Sequence, residues 1–153
     1  MMTKMMALYD RAVSIAGARV PEGLALLLLR VALAGVFWRS GRTKVVEGSW
    51  FRINPDTYDL FRTEFSGLPL APSIAVPLTG FAEHVFPMLL LLGLATRLSA
   101  GALLVMTLVI QIFVFPDAWW PVHSLWAAMA AVLIVRGGGL FSLDALALKL
   151  RGR

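Results

Sequence analysis

The stretch EGLALLLLRVALAGV, residues 22–36, decides the fold, because it is uncharged after its first residue except for a central Arg30. A second apolar run, APSIAVPLTGFAEHVFPMLLLLGL at residues 71–94, carries Glu83 and His84 well inside it. Charged side chains at membrane depth are costly, and they mark functional positions more often than charges elsewhere. Arg30 and Glu83 are therefore the first candidates for function.

Composition indicates an integral membrane protein whose partner is the lipid bilayer. Of 153 residues, 59% are hydrophobic and only 15% are charged, a more apolar balance than in soluble domains. Runs bounded by Pro, Gly and charge predict an all-α bundle of four transmembrane helices in one domain, residues 1–153, each close to the roughly 20 residues that cross a bilayer. The predicted spans are residues 21–41, 72–95, 98–115 and 119–135.

Two further helices are predicted outside the membrane core. Met1–Val20 has mixed charges and no apolar region before a cleavage site, so it is interpreted as an interfacial amphipathic helix and not as a secretory signal. The long loop Val45–Ala71 contains a helix signal that starts at Asn54-Pro55 and stops at Ser66-Gly67. One face of this helix carries Tyr58, Phe61 and Phe65. It is either a lid over the outer mouth of the bundle or a helix that docks a partner protein.

Basic residues predict the orientation. With both termini on one side, that side holds Lys4, Arg11, Arg19, Arg97, Arg136, Lys149, Arg151 and Arg153. The positive-inside rule then places both termini in the cytoplasm. The net charge of +5 is explained by these ends lying beside anionic lipid, and it requires no nucleic acid.

Helical geometry predicts where the charges point. Arg30 and Lys44 share one stripe of the first span, whereas Arg39 falls on the opposite side and is interpreted as an interfacial anchor. From the 1.5 Å rise per residue, Arg30 lies about 13 Å and Glu83 about 18 Å from the cytoplasmic end. An arginine side chain can span that offset, so a buried Arg30–Glu83 ion pair that fixes helix register is expected.

A second hypothesis, compatible with the first, is a functional polar pocket between the helices. His123 lines up with Ala127 and Ala130 on the fourth span, and small residues allow close helix approach, so His123 is predicted to point inward. The candidate pocket residues are Arg30, Glu83, His84, Gln111 and His123.

The two histidines raise the question of a metal. His84 and His123 lie on different helices and are able to ligate a haem iron or a copper ion, and Met88 one turn from His84 would add a soft ligand. No spaced metal motif accompanies them, and histidines hydrogen-bonded at helix contacts are more common. The absence of cysteine excludes disulfides, thiolate metal sites and thiol chemistry.

Several blocks of sequence carry a resemblance to a known family. They are LRVALAG at 29–35 before SGRTK at 40–44, FAE at 81–83 before LLGLATRL at 91–98, and GGGLFSLDAL at 137–146. In this order they resemble the DoxX family of small four-helix bacterial membrane proteins, over about Leu24 to Leu148. The resemblance implies a location in the bacterial inner membrane. The run MTLVIQIFVFPDAW at 106–119 resembles a proteobacterial subgroup linked with metal-stress gene clusters.

The resemblance implies two functions. One is a redox- or stress-associated membrane subunit that binds a quinone-like carrier, with Arg30, Glu83, Gln111 and His123 lining the pocket. The other is a non-catalytic anchor or assembly factor in a copper-type stress system, in which these residues only hold the bundle together. The family has no shared catalytic motif, so any chemistry depends on a bound carrier or on a partner membrane or periplasmic protein. A transport pathway would need several copies of the chain.

Overall fold

Four helical segments are long and apolar enough to cross a membrane in the structure, a computed structural model that describes residues Met2–Gly152. They are Arg19–Thr43, Pro72–Leu92, Thr96–Phe113 and Pro116–Arg136. The predicted all-α membrane bundle is thus confirmed, with span boundaries shifted by three residues or fewer. Met1 and Arg153, parts of the predicted terminal segments, lie outside the described residues, as does the side chain of Lys4.

The α-helices are numbered along the chain as follows. They are α1 (Met2–Ala16), α2 (Arg19–Thr43), α3 (Asp56–Thr63), α4 (Pro72–Leu92), α5 (Thr96–Phe113), α6 (Ser124–Arg136) and α7 (Leu143–Arg151). The chain crosses the bundle four times, in α2, α4, α5 and the segment that ends in α6. Helices α1 and α7 therefore lie on the same side, which we call the terminal end. The opposite side, which carries α3, is called the outer end.

The bundle has an apolar core and an equally apolar surface. Leu33, Phe37, Leu90, Leu103 and Leu133 are almost completely buried where the four spans meet. Other large apolar side chains point outward, as expected where the surroundings are lipid. They include Leu28, Leu98, Val105, Ile112, Leu125 and Val135. Helix α1 follows the same pattern, because Met5, Leu8, Tyr9 and Val13 are all exposed.

The fourth span starts irregularly. A 3₁₀ turn at Pro116–Ala118 leads into a π-helical turn at Trp119–His123, and regular α-helix begins only at Ser124. Pro121 lies inside the π turn and has no N–H group to donate, which disfavours regular α-helical hydrogen bonding there. The turn leaves the His123 side chain buried at the outer end.

The outer loop forms the predicted short helix, but with different ends. Helix α3 begins at Asp56, whose N–H donates to Asn54 Oδ1 at 3.1 Å, and it ends at Thr63, three residues before the predicted stop. Its apolar face packs on the first half of α4, where Phe61 meets Ala75 and Val76. The helix therefore covers the outer end of the bundle.

Candidate functional site

Arg30 is completely buried and binds backbone carbonyls near the terminal end. Its Nη1 donates to the oxygens of Leu90 at 3.1 Å and Leu91 at 3.3 Å, and its Nη2 donates to the oxygen of Phe141. The Leu90 carbonyl also accepts the Gly93 N–H at 3.0 Å, whereas Arg30 is the only donor to the Leu91 and Phe141 carbonyls among the described residues. A guanidinium carries five donors and can satisfy such carbonyls at a helix end. Arg30 thus joins α2, the end of α4 and the segment before α7.

Asp144 completes this junction from the other direction. Its two carboxylate oxygens accept the N–H groups of Ala95 at 2.8 Å and Thr96 at 2.9 Å, which caps the start of α5. Burial by itself raises the pKa of Asp144, but the hydrogen bonds from Thr96 and Ala95, with the charge of Arg30, lower the pKa below its ordinary value overall. Ser142 caps α7 by accepting the Ala145 N–H at 3.1 Å.

The predicted Arg30–Glu83 ion pair is wrong. Glu83 Oε1 accepts the Ser40 hydroxyl at 2.8 Å, so Glu83 lies level with Ser40 on α2. Ser40 is ten residues beyond Arg30, which corresponds to about 15 Å along a helix and exceeds the reach of a guanidinium. The register of α2 against α4 therefore differs from the register that the predicted span ends imply.

Glu83 instead pairs with Lys44. Lys44 Nζ donates a hydrogen bond to Glu83 Oε1 at 3.0 Å. Nζ also lies 2.9 Å from Oε2, but that contact is ionic only, because its direction does not suit a hydrogen bond. Ser40 binds both partners, because its hydroxyl accepts from Nζ at 2.9 Å and donates to Glu83. Both charged side chains are buried, with 7% of Lys44 and 1% of Glu83 exposed. The sequence places the lysine on the right helical stripe but does not identify it as the partner.

The outer loop positions Lys44. The Lys44 carbonyl accepts the Asn54 N–H at 2.9 Å and the Thr57 hydroxyl at 3.0 Å, and Val45 forms an isolated antiparallel bridge with Ile53. These bonds tie the end of α2 to the start of α3. The cover of the bundle and the buried ion pair are consequently parts of one structural unit.

His84 lies apart from this pair despite being adjacent to Glu83 in sequence. Its Nδ1 lies 2.7 Å from the Gly80 carbonyl, so Nδ1 carries the proton, and its ring packs against Trp38 with a centroid distance of 5.2 Å. A Cβ atom on Gly41 would lie 2.9 Å from His84 Cε1, which explains why α2 has glycine there. His84 is thus a packing residue in this geometry.

His123 is bound by Gln111, and the bond fixes its tautomer. Gln111 Nε2 donates to the Pro116 carbonyl at 2.5 Å, so its Oε1 faces His123 Nδ1 at 2.8 Å. Nδ1 must then carry the proton, because Oε1 can only accept. The neutral imidazole therefore has an unprotonated Nε2, which makes no hydrogen bond to any described residue. The irregular turn before α6 supplies the Pro116 carbonyl that sets this arrangement.

A cavity of about 150 Å³ lies between the spans beneath α3. His123, Glu83, Lys44 and Ser40 line it on the polar side. Its other walls are mainly aromatic and aliphatic, including Phe37, Phe61, Phe65, Met106, Phe115 and Trp126. Of the candidate pocket residues, Glu83 and His123 line the cavity, Gln111 holds His123 in place, and neither Arg30 nor His84 is in the lining.

The positions of the two histidines do not support the hypothesis of a shared metal site. Within residues 2–152 no group of three or more His, Asp or Glu side chains comes together to hold an ion. His84 is buried with Nδ1 occupied, while Met88 one turn away is 41% exposed toward the lipid side. Only His123 of the two histidines lines the cavity, so the pair does not form a common ligand set for haem or copper.

Comparison with known proteins identifies the family. The family model named DoxX matches residues 25–116, more than half of the chain. The chain belongs to the DoxX family. The resemblance in the first two blocks is thereby confirmed, whereas the GGGLFSLDAL block lies beyond the matched residues.

One curated relative of this DoxX protein comes from Haemophilus influenzae and is described as an uncharacterized protein. The two are 30% identical in an alignment that covers 83% of this chain and 85% of the relative. No solved structure matches the chain. Family membership and the four apolar helices indicate a multi-pass membrane protein.

Proposed function

We propose that this DoxX protein is a redox-associated membrane subunit that binds a quinol-type carrier in the cavity beneath α3. The observation that carries the proposal is that His123 lines a buried, aromatic-lined space and that its Nε2 has no hydrogen-bond partner among residues 2–152. Ligand sites are mainly apolar and contain a few placed polar groups that orient the ligand. A cavity near 150 Å³ is of the size that holds one benzene ring.

The polar wall favours the reduced carrier. Lys44 and Ser40 direct their donors to Glu83 and to each other, so they have little left to offer a quinone carbonyl. His123 Nε2 is an acceptor and suits the hydroxyl of a quinol. Thr79, which also lines the cavity, carries a hydroxyl that can donate or accept. A quinol oriented in this way would place its hydroxyl proton on the imidazole when a partner protein removes electrons.

Binding is testable through the Trp126 ring, which lies 5.5 Å from Phe37 and 4.9 Å from His123 between ring centroids. A short-chain benzoquinol, kept reduced under anaerobic conditions, is expected to quench tryptophan fluorescence saturably in detergent. His123→Phe removes the acceptor and should weaken this binding about tenfold, since one hydrogen bond contributes about 1–1.5 kcal/mol.

The matched control is His84→Gln, which keeps a donor for the Gly80 carbonyl and lies outside the cavity. It should bind the quinol as the parent does. If the parent shows no saturable quenching, or if both histidine variants lose it equally while remaining folded, the proposal fails. The Lys44–Glu83 pair would then only stabilise the bundle, as an anchor or assembly factor requires.

We further propose that the terminal end faces the cytoplasm of a bacterial cell, with the chain in the inner membrane. Arg11, Arg19, Arg97, Lys149 and Arg151 lie at this end or in the helices beside it. Three of the five cations at the outer end are engaged within the protein, because Arg42 donates to the Ser49 carbonyl, Lys44 pairs with Glu83, and Arg62 pairs with Asp59. The other two, Arg39 and Arg52, are exposed. This asymmetry supports the positive-inside orientation.

The natural absence of cysteine makes the orientation easy to test. Single substitutions Glu64→Cys and Lys149→Cys introduce a thiol at exposed positions on the outer and terminal ends. A membrane-impermeant maleimide is expected to label Glu64→Cys in spheroplasts, and Lys149→Cys only after the membrane is disrupted. The reverse pattern would contradict the proposed orientation.

A further inference from the structure

A second cavity lies at the terminal end, outside the site described above. It is an open groove of about 700 Å³ between the α4–α5 turn, the end of α6 and helix α7. Its lining includes Arg97, Arg136 and Arg151 against a single carboxylate, that of Asp144. Both oxygens of that carboxylate already accept backbone N–H groups, so the carboxylate is engaged within the protein. The groove consequently presents positive charge.

Two of the three guanidinium groups make no ion pair with another described residue. Arg97 uses Nη1 for the Ile134 carbonyl at 3.0 Å, which holds the side chain in place and leaves its Nε and Nη2 available. Arg151 makes no hydrogen bond or ion pair with another described residue, whereas Arg136 binds Glu22. Arginine carries its donors in a planar fork that suits phosphate oxygens. Arg97 and Arg151 are therefore the groups that can bind an anion.

The backbone adds donors to the same groove. Gly138 and Gly139 both line it, and neither N–H group bonds to any other residue in the described part of the chain. Gly137 and Gly139 have φ angles of 78° and 74°, which residues other than glycine rarely adopt. Successive unpaired N–H groups in turns form concave sites for anions. The Arg97 side chain packs directly beside this glycine turn, within 3.4 Å of the Cβ position of Gly137.

Apolar side chains flank the basic groups. Leu94, Leu98 and Leu148 line the groove and are largely exposed. Helix α7 continues the apolar surface with Leu146 and Leu150, and it ends with Lys149 and Arg151. A soluble phosphate would gain nothing from these side chains, whereas acyl chains at a membrane interface would bury them.

We propose that this groove is a binding site for the phosphate headgroup of an anionic phospholipid. The guanidinium groups of Arg97 and Arg151 and the N–H groups of the glycine turn bind the phosphate, and the leucines contact the acyl chains. The site is independent of the carrier proposed for the outer cavity. It would fasten α7 to the bilayer beside the junction formed by Arg30 and Asp144.

Native mass spectrometry of protein released from mixed nanodiscs tests the proposal, with phosphatidylglycerol and phosphatidylcholine as competing lipids. The parent should retain phosphatidylglycerol preferentially. The double variant Arg97→Gln/Arg151→Gln should lose that preference about tenfold, because two charge-assisted contacts are removed. The Arg97→Gln change keeps a side-chain amide that can donate to the Ile134 carbonyl, which limits structural damage.

The control Arg39→Gln/Arg52→Gln removes the same charge from two exposed arginines away from the groove. It should keep the preference of the parent. Equal losses in the two double variants would mean diffuse attraction and overturn a defined site, as would an unchanged preference in Arg97→Gln/Arg151→Gln. Inorganic phosphate at millimolar concentration should not displace the lipid. Displacement would assign the groove to a soluble phosphate and overturn the lipid proposal.

Discussion

Replacing Arg30 by Met is expected to lower the free energy of unfolding by about 3 kcal/mol or more. The side chain is fully buried, and three backbone carbonyls from two parts of the chain accept its donors. Methionine fills similar volume but leaves the carbonyls of Leu91 and Phe141 without their donor, which costs about 1–3 kcal/mol for each buried group, while the Leu90 carbonyl keeps the Gly93 N–H. Unfolding in mild detergent, followed by circular dichroism, measures the loss.

Two further variants identify the cause. Arg30→Lys keeps the charge but has no planar fork, so it should recover only part of the lost stability. Arg39→Met removes an exposed arginine from the same helix and should change stability by no more than about 0.5 kcal/mol. If Arg30→Met were as stable as Arg39→Met, the carbonyl contacts would not hold the terminal end together.

The parts of the fold that depend on composition along one helix could be predicted from sequence. The length of the apolar runs predicted the four spans. The spacing of Phe61 and Phe65 predicted that they share one side, and both line the cavity, although Phe65 lies two residues beyond the end of α3. Small residues on the stripe of His123 indicated that it points inward, and its side chain is 3% exposed. Each of these inferences uses only the geometry of a single helix.

Features that depend on how two helices align could not be obtained in this way. The register of α2 against α4 decides whether Glu83 meets Arg30 or Lys44, and Glu83 lies level with Ser40, ten residues beyond Arg30. The Phe141 carbonyl that binds Arg30 is 111 residues away along the chain. No local pattern specifies such a partner, because a backbone carbonyl is present at every residue.

In the sequence, the helical stripe of Lys44 indicates its direction, but not its burial. Lys44 shares the helical stripe of Arg30 but follows the end of α2, where a lysine normally reaches solvent. Here the loop bonds from Asn54 and Thr57 hold its backbone, and only 7% of its side chain is exposed. Burial of Lys44 is therefore a consequence of the outer loop, whose path the apolar pattern of the spans does not determine.

The Lys44–Glu83 pair should behave as one unit in a double-mutant cycle. Lys44→Met alone leaves a buried carboxylate without its cation, and Glu83→Gln alone leaves a buried ammonium without its anion, so each should lower stability by about 3–5 kcal/mol. The double variant contains neither buried charge. It should be more stable than the sum of the single changes predicts by more than about 2 kcal/mol, as measured by unfolding in detergent.

The matched cycle combines Arg30→Met with Glu83→Gln. The two residues belong to separate hydrogen-bond groups near opposite ends of the bundle, so their effects should add to within about 0.5 kcal/mol. Strong coupling in this cycle, or additive effects in the Lys44–Glu83 cycle, would contradict the register of α2 against α4. Because the ion pair lines the cavity, the Lys44–Glu83 double variant also tests whether quinol binding needs these charges. A binding site built on His123 Nε2 should survive their removal if the bundle remains folded.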